Sequence, residues 1–372
     1  SKAPVGSLIG IYPIQGKGVV NGSSHKKLLA IGNLKQPVHA WGEIYTGISA
    51  KDYMDGTSNF YGVHSVTLYV NSVQVFNSTT DKVLPDENRM INGFTDYEEL
   101  TRTRRLIMRS YKLPGNRLRL LHPNENRGAV TIDEERDYHF RYVLEDNFGN
   151  RRTYQFIVKG KRQDIPEYKP EANEMLYWNR TNVIQKPGME LVVPRYYVYE
   201  DVPLRTDMRG DSSHIAFDYI LDAGRTPIHS YCDLSIGLRH MPVADTTKYY
   251  IVQKAGKWRS SMGGKYASGW IKTRVRSLGT FSVDVDTIAP QITPIGQGGW
   301  RTSRNIRFRI KDMESGIGSY KVYIDGKFVL FGLKKGILVI QDPEKVKKGV
   351  PHKLEVTVTD QCGNMARKEY KF

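Results

Sequence analysis

Cysteine is nearly absent: Cys232 and Cys362 are the two in 372 residues. They fall in segments that the pattern below assigns to different domains, so no disulfide framework organises the chain and buried thiols are expected. No run of about 18 apolar residues occurs, which excludes a membrane-spanning helix within this sequence. The opening Ser1-Lys2-Ala3-Pro4-Val5-Gly6 lacks a charged region leading into an apolar one, so either a signal has been removed or the sequence starts inside a longer protein. Acidic residues are the minority, 39 against 55 Lys and Arg, giving a net charge of +16. That sign favours an anionic partner without choosing among nucleic acid, acidic glycopolymer and lipid head groups.

Chemical motifs are scarce too. There is no Gly-x-Ser-x-Gly, no phosphate-cradling Gly-x-x-x-x-Gly-Lys-Ser/Thr, and no His-x-His or His-x-x-x-His to complete a zinc site. Two His-x-x-x-Asp pairs occur, His214 with Asp218 and His229 with Asp233, each able to offer two ligands from one strand face. Nine histidines among ordinary numbers of Asp give such pairs by chance. No catalytic residue and no metal ligand is therefore assigned in this chain.

What the sequence does contain is a repeat. Gly316-Ile317-Gly318-Ser319-Tyr320-Lys321-Val322-Tyr323-Ile324-Asp325 lies without a gap over Gly62-Val63-His64-Ser65-Val66-Thr67-Leu68-Tyr69-Val70-Asn71. Asp360-Gln361-Cys362-Gly363-Asn364 likewise repeats Asp146-Asn147-Phe148-Gly149-Asn150. In Val356-Thr357-Val358-Thr359 apolar and polar residues alternate, as in a strand with one face buried. Asp then supplies an acceptor for backbone N–H groups, and Gly and Asn tolerate left-handed φ in the turn. A hairpin, a variable connection, then strand, turn and strand describe one edge of an antiparallel sandwich.

The expected architecture is all-β: three tandem β-sandwich domains, the first and last immunoglobulin-like. Residues 1–35 read as a lead-in with one strand at Ile9-Gly10-Ile11-Tyr12-Pro13. Residues 36–160 form the first sandwich, with an Arg-rich insertion at 81–126; 161–172 link; 173–287 form the middle sandwich; 288–372 form the last. Asp286-Thr287-Ile288-Ala289-Pro290 closes the middle block as an extended segment.

Three places suggest ligands. Asp52, Asp55 and Asn59 offer calcium-compatible oxygens but lack the full run of a calcium loop, so a capped turn is the expectation. Arg102, Arg104 and Arg105 head a basic, aromatic-flanked insertion that suits either an anionic ligand or a solvated helix face. Trp258, Tyr266 and Trp270 stand beside Lys257, Arg259, Lys265 and Lys272, a composition that suits a sugar or peptide ligand, or a hairpin turning at Met262-Gly263-Gly264. Asn21, Asn77 and Asn179 head Asn-x-Ser/Thr triplets, which matter only in a eukaryotic secretory route.

Several stretches together resemble a known family. Asp52 to Asn59 followed by Tyr61-Gly62-Val63, then Arg136-Asp137-Tyr138-His139-Phe140, Ser260-Ser261-Met262-Gly263-Gly264 and Asp286 to Pro290 resemble the region behind the catalytic domain in lysostaphin-like zinc endopeptidases of Gram-negative envelopes. The resemblance implies a non-catalytic accessory region that positions a peptidase on peptidoglycan or another anionic envelope polymer, in the periplasm or at the bacterial cell surface. It implies no cofactor in this chain, zinc only in a preceding peptidase domain, and no nucleic-acid partner. The alternative is a free-standing surface adhesin or scaffold that binds partners through exposed strand edges. A hydrolase using either His–Asp pair is the remaining reading.

Overall fold

The computed structural model describes residues 3–53 and 59–372. They form two units: Ser1–Asn182 with Val193–Leu204 and Ala223–Ser230, and Val183–Val192 with Arg205–Asp222 and Tyr231–Phe372. The chain is nearly all β, in several sheets, as its alternating pattern predicts. The calcium-compatible loop lies largely outside the described residues.

In unit one the strands are β1 (Val5–Val20), β2 (Lys27–Ala30), β3 (Val38–Tyr53), β4 (Ser65–Val70), β5 (Val73–Thr79), β6 (Leu121–Pro123), β7 (Asp137–Glu145) and β8 (Arg151–Gly160). They lie in the order β2-β1-β3-β8-β7-β4-β5-β6, all antiparallel except β3 with β8. Period-two patterning builds this core directly: Tyr138, Phe140, Tyr142 and Leu144 of β7 are buried in one cluster with Leu68 and Phe156 on its neighbours and Phe76 on β5. The Tyr142 hydroxyl, deep in that core, meets Thr46 Oγ1 and Ser110 Oγ at 2.7 Å each, so it brings no unpaired polar group inside. The lead-in is more regular than its glycines suggest. β1 runs on to Val20, and its register against β3 shifts between Pro13 and Gly18, where Gly16 takes φ 71°. A bulge thus absorbs the turn-forming residues without ending the strand. The Arg-rich insertion contains the helix α1 (Tyr97–Thr103), capped by Asp96.

In unit two the strands are β9 (Met189–Val193), β10 (Asp218–Asp222), β11 (Cys232–Gly237), β12 (Tyr249–Ala255), β13 (Trp258–Ser261), β14 (Lys265–Ala267), β15 (Trp270–Val275) and β16 (Gly279–Val285). One sheet runs β9-β11-β15-β14, and the other carries β10-β16-β12-β13. A further sandwich follows, with β17 (Ile317–Ile324) paired to β18 (Lys353–Asp360), and β18 to β19 (Met365–Lys371). Its core gathers Trp300, Phe308, Val322, Leu338, Leu354, Val356 and Val358. Trp300 is wholly buried and satisfies its indole N–H on the Ile295 carbonyl at 2.9 Å. Cys232 and Cys362 are both buried and form no disulfide.

The repeat is structural. Asn71 and Asp325 both take positive φ, 49° and 50°, at the end of the first repeated strand. Each donates its backbone amide to a carbonyl near the start of the later strand, His139 or Lys353, and its side chain accepts the amide of that same residue: Asn71 Oδ1 for the His139 amide, Asp325 Oδ1 for the Lys353 amide, both at 2.9 Å.

Candidate functional site

The arginines of the insertion are engaged with an acid. Glu99, on α1, has no exposed surface, and Arg102 Nη2 lies 2.9 Å and Arg105 Nη1 3.7 Å from its oxygens, with Lys26 Nζ at 3.2 Å. Burial alone would raise the Glu99 pKa, but hydrogen bonds from Thr103, Lys26 and Arg102 outweigh it and hold the carboxyl at about 2. Arg102 and Arg105 therefore compensate a buried charge. Arg104 is the exposed left-handed residue that ends the helix, at φ 65°.

Neither His–Asp pair assembles a metal site. His214 Nδ1 is 2.9 Å from Asp211, not Asp218, whose carboxylate takes Lys254 Nζ at 2.6 Å. His229 Nδ1 meets the Tyr199 hydroxyl at 3.0 Å, and Asp233 stands directly opposite Arg274 across β11 and β15.

The three aromatics separate. Trp258 is 81% exposed at the β12–β13 hairpin, in the other sheet from Tyr266 and Trp270. Tyr266 pairs with buried Ile271 and so lies on the inner face, whereas Trp270 pairs with Ala267 on the outer one. Trp270 does stand over a prepared place: a Cβ built on Gly237, its partner on β11, would lie 3.6 Å from three atoms of the indole ring, so the ring lies flat on that glycine.

Around Trp270 the outer face carries a charge pattern that spacing alone did not reveal. Period two puts Trp270, Lys272 and Arg274 of β15 on this face. The β14 register sets Lys265 directly opposite Lys272, two exposed lysines on one face with no ion pair to either among the described residues. Like charges in that relation oppose the pairing. Across the sheet, Ser235 stands beside Lys272 and Glu190 beside Ser235, and these residues enclose a shallow groove of about 640 Å³. Chemically the groove offers cationic donors on one side and hydroxyl and carboxylate acceptors on the other, with Trp270 outside its lining, two residues along β15 from Lys272. Only the knowledge that β14 and β15 form a hairpin, in this register, would have exposed the Lys265–Lys272 opposition.

Three carboxylates converge where the two sandwiches of unit two join. Single oxygens of Asp286, Asp312 and Asp360 lie within 4.8 Å of one another. An all-oxygen donor set suits a hard cation such as calcium and not zinc. The same carboxylates are committed to the chain: Asp286 to the Ile288 and Ser315 amides, Asp312 to those of Glu314 and Gly316, and Asp360 to those of Cys362 and Asn364. Burial raises the Asp360 pKa, reinforced by the charge of Asp286.

Comparison with known proteins finds a similarity for the middle block. Residues 173–286 match the Zu5-like domain. The match spans a minority of the chain, and no curated protein matches the sequence. Similar solved structures include a Ca²⁺-stabilized adhesin with which an Antarctic bacterium binds ice, 10% identical over 97% of this chain and 99% of that one, with a TM-score of 0.17. A 1.5-MDa bacterial ice-binding adhesin follows at 9% identity, 100% and 97% coverage and TM-score 0.15. A Bacteroides ovatus protein of a mixed-linkage glucan utilization locus, solved with a heptasaccharide, gives 11%, 83% and 59%, and 0.15. TM-scores this low carry no weight for function.

These findings correct the resemblance to the lysostaphin-like endopeptidase region. The block expected to be a peptidase accessory domain matches the Zu5-like domain instead, and the peptidase and peptidoglycan partners lose their support with that resemblance. The physical reason lies in what carried the resemblance. Asp286 caps the segment to Pro290, Ser261 Oγ accepts the Gly263 amide in a turn, and the β7 segment at Asp137 is an ordinary core strand. Tandem β-sandwiches need such pieces whatever they do.

Proposed function

We propose that this chain is a modular binding or scaffold protein of a bacterial cell surface, and that its Zu5-like block makes contact through the outer face of β11, β15 and β14. The observation that carries the reading is the opposition of Lys265 and Lys272 beside Arg274 and Trp270. Two lysines directly opposite cost the hairpin stability when no anion lies near them, and an anionic group placed across them removes that cost. The partner is therefore polyanionic, and the mixed donors and acceptors of the groove suit a flexible, hydroxyl-rich polymer. Repeated sandwiches around the block serve as spacers that present it.

Immobilised dextran sulfate tests the contact. The chain should be retained at low salt and released as ionic strength rises, with neutral dextran retaining none; equal retention on both polymers would remove the proposal. Surface labelling of intact source cells tests the location.

A further inference from the structure

Unit one carries an open groove of about 600 Å³ on the outer face of its sheet, bounded by β7, β8 and the 34–37 segment that leads into β3. That volume lies in the range of small-molecule sites. Phe140 and Phe156 belong to the core, so period two turns His139 and Arg141 of β7, and Gln155, Ile157 and Lys159 of β8, to the opposite face. The register sets Ile157 beside His139 and Gln155 beside Arg141, with Tyr69 of β4 on the other side of Arg141.

The polar side chains of this groove are open and unengaged. Lys35, His139, Gln155 and Lys159 are exposed. Arg141 lies over the Tyr69 ring, its guanidinium carbon 4.2 Å from the centroid, which fixes it on this face. Among the described residues none of these five side chains forms an ion pair or a hydrogen bond, and no carboxylate lines the groove. Asp137 stands opposite Lys159 in the register, yet the two form no ion pair. Elsewhere on unit one exposed arginines do find acids, Arg119 with Glu87 and Arg151 with Glu145. Ile157, 37% exposed, adds apolar surface among the cations.

We propose that this groove binds a sugar unit carrying one oxyanion, a carboxylate or a sulfate ester. The oxyanion meets Arg141 and Lys159, ring hydroxyls meet Gln155, and the apolar side of the ring rests on Ile157. A guanidinium presents its N–H groups as a fork that fits two oxygens of such a group. Lys35, Arg141 and Lys159 with no acid among them select the negative charge, and the carboxamide and aliphatic surface select a hydroxylated ring over a bare ion. This contact is separate from the one on the Zu5-like block and does not depend on it.

Ligand-observed NMR and titration calorimetry on the whole chain with glucuronate, glucose 6-sulfate and glucose, and competition by inorganic sulfate, test this. Glucuronate or glucose 6-sulfate should bind and glucose should not; which of the two binds identifies the oxyanion. Inorganic sulfate at the same concentration should leave the acidic sugar in place. Arg141→Gln should weaken the binding at least tenfold, and Lys159→Gln, at an exposed position, should weaken it several-fold even if the Arg141 variant loses stability. Lys265→Glu/Lys272→Glu should leave it unchanged, which separates this contact from that of the Zu5-like block. No binding of either acidic sugar, equal binding of glucose, full displacement by equal sulfate, or unchanged affinity in both the Arg141 and Lys159 variants would overturn the proposal.

Discussion

Asp146 and Asp360 hold the same turn with the same three bonds. Asp146 Oδ1 accepts the amides of Phe148 and Asn150 at 2.8 and 2.9 Å, and its Oδ2 accepts Asn150 Nδ2 at 2.7 Å. Asp360 Oδ1 accepts the amides of Cys362 and Asn364 at 2.8 Å each, and its Oδ2 accepts Asn364 Nδ2 at 2.7 Å. Gly149 and Gly363 supply the positive φ, 83° and 79°. Each aspartate is buried, so its removal leaves amide donors unpaired. Asp360→Ala should destabilise unit two by about 2–3 kcal/mol and Asp146→Ala unit one by a similar amount. Chemical denaturation followed by unit-specific probes checks both, and Asp→Asn at either site should cost less than Ala.

Acid should act on unit one through Glu99. Its folded pKa of about 2 is below the ordinary 4.5, so the folded state holds its proton less tightly than the unfolded chain. The stability this contributes is complete above 4.5 and is lost as pH falls toward 2. Glu99→Gln should flatten that limb of a stability–pH curve. An unchanged acid limb would mean that other carboxylates govern it.

Base should act on unit two through His352. Burial alone would lower its pKa, but Asp325 Oδ2 at 2.6 Å from Nδ1 and the Lys347 carbonyl at 2.7 Å from Nε2 raise it above 6.5. The contribution is fully present below 6.5 and is lost as pH rises through the raised value. Histidine NMR titration should place His352 above 6.5 and above His229, whose burial lowers its pKa, and His352→Gln should remove the decline in unit-two stability across neutral pH.

Trp258 and Trp270 should part in mutagenesis. At 81% exposure, Trp258→Ala should change stability by less than about 0.5 kcal/mol. Trp270→Ala strips the ring that covers Gly237 and should cost more, near 1 kcal/mol, because a strand glycine gains from an aromatic neighbour. Thermal melts of the two variants make the comparison.

Much of the fold was legible because its signals are local. Period-two alternation in Tyr138 to Leu144 and Val356 to Thr359 announces strands, and the ungapped match ending at Asn71 and Asp325 announces two related sandwich edges. β1 was underread since glycines that look like a turn sit in a bulge. The site was less legible. Lys265 and Lys272 are unremarkable in a basic chain until a hairpin register makes them face each other. Arg102 and Arg105 look like ligand residues until Glu99 is seen buried beneath them. Lys35 and Arg141 are far apart in sequence, and nothing local hints that they line one groove.

Elution from dextran sulfate, compared between the native chain and a Lys265→Glu/Lys272→Glu variant, tests the central claim most directly. If the outer face of the Zu5-like block is the contact surface, the native chain stays bound to markedly higher salt than the variant, although many other lysines and arginines remain. Equal elution of the two proteins would contradict the account and return the binding to the diffuse charge of the whole chain.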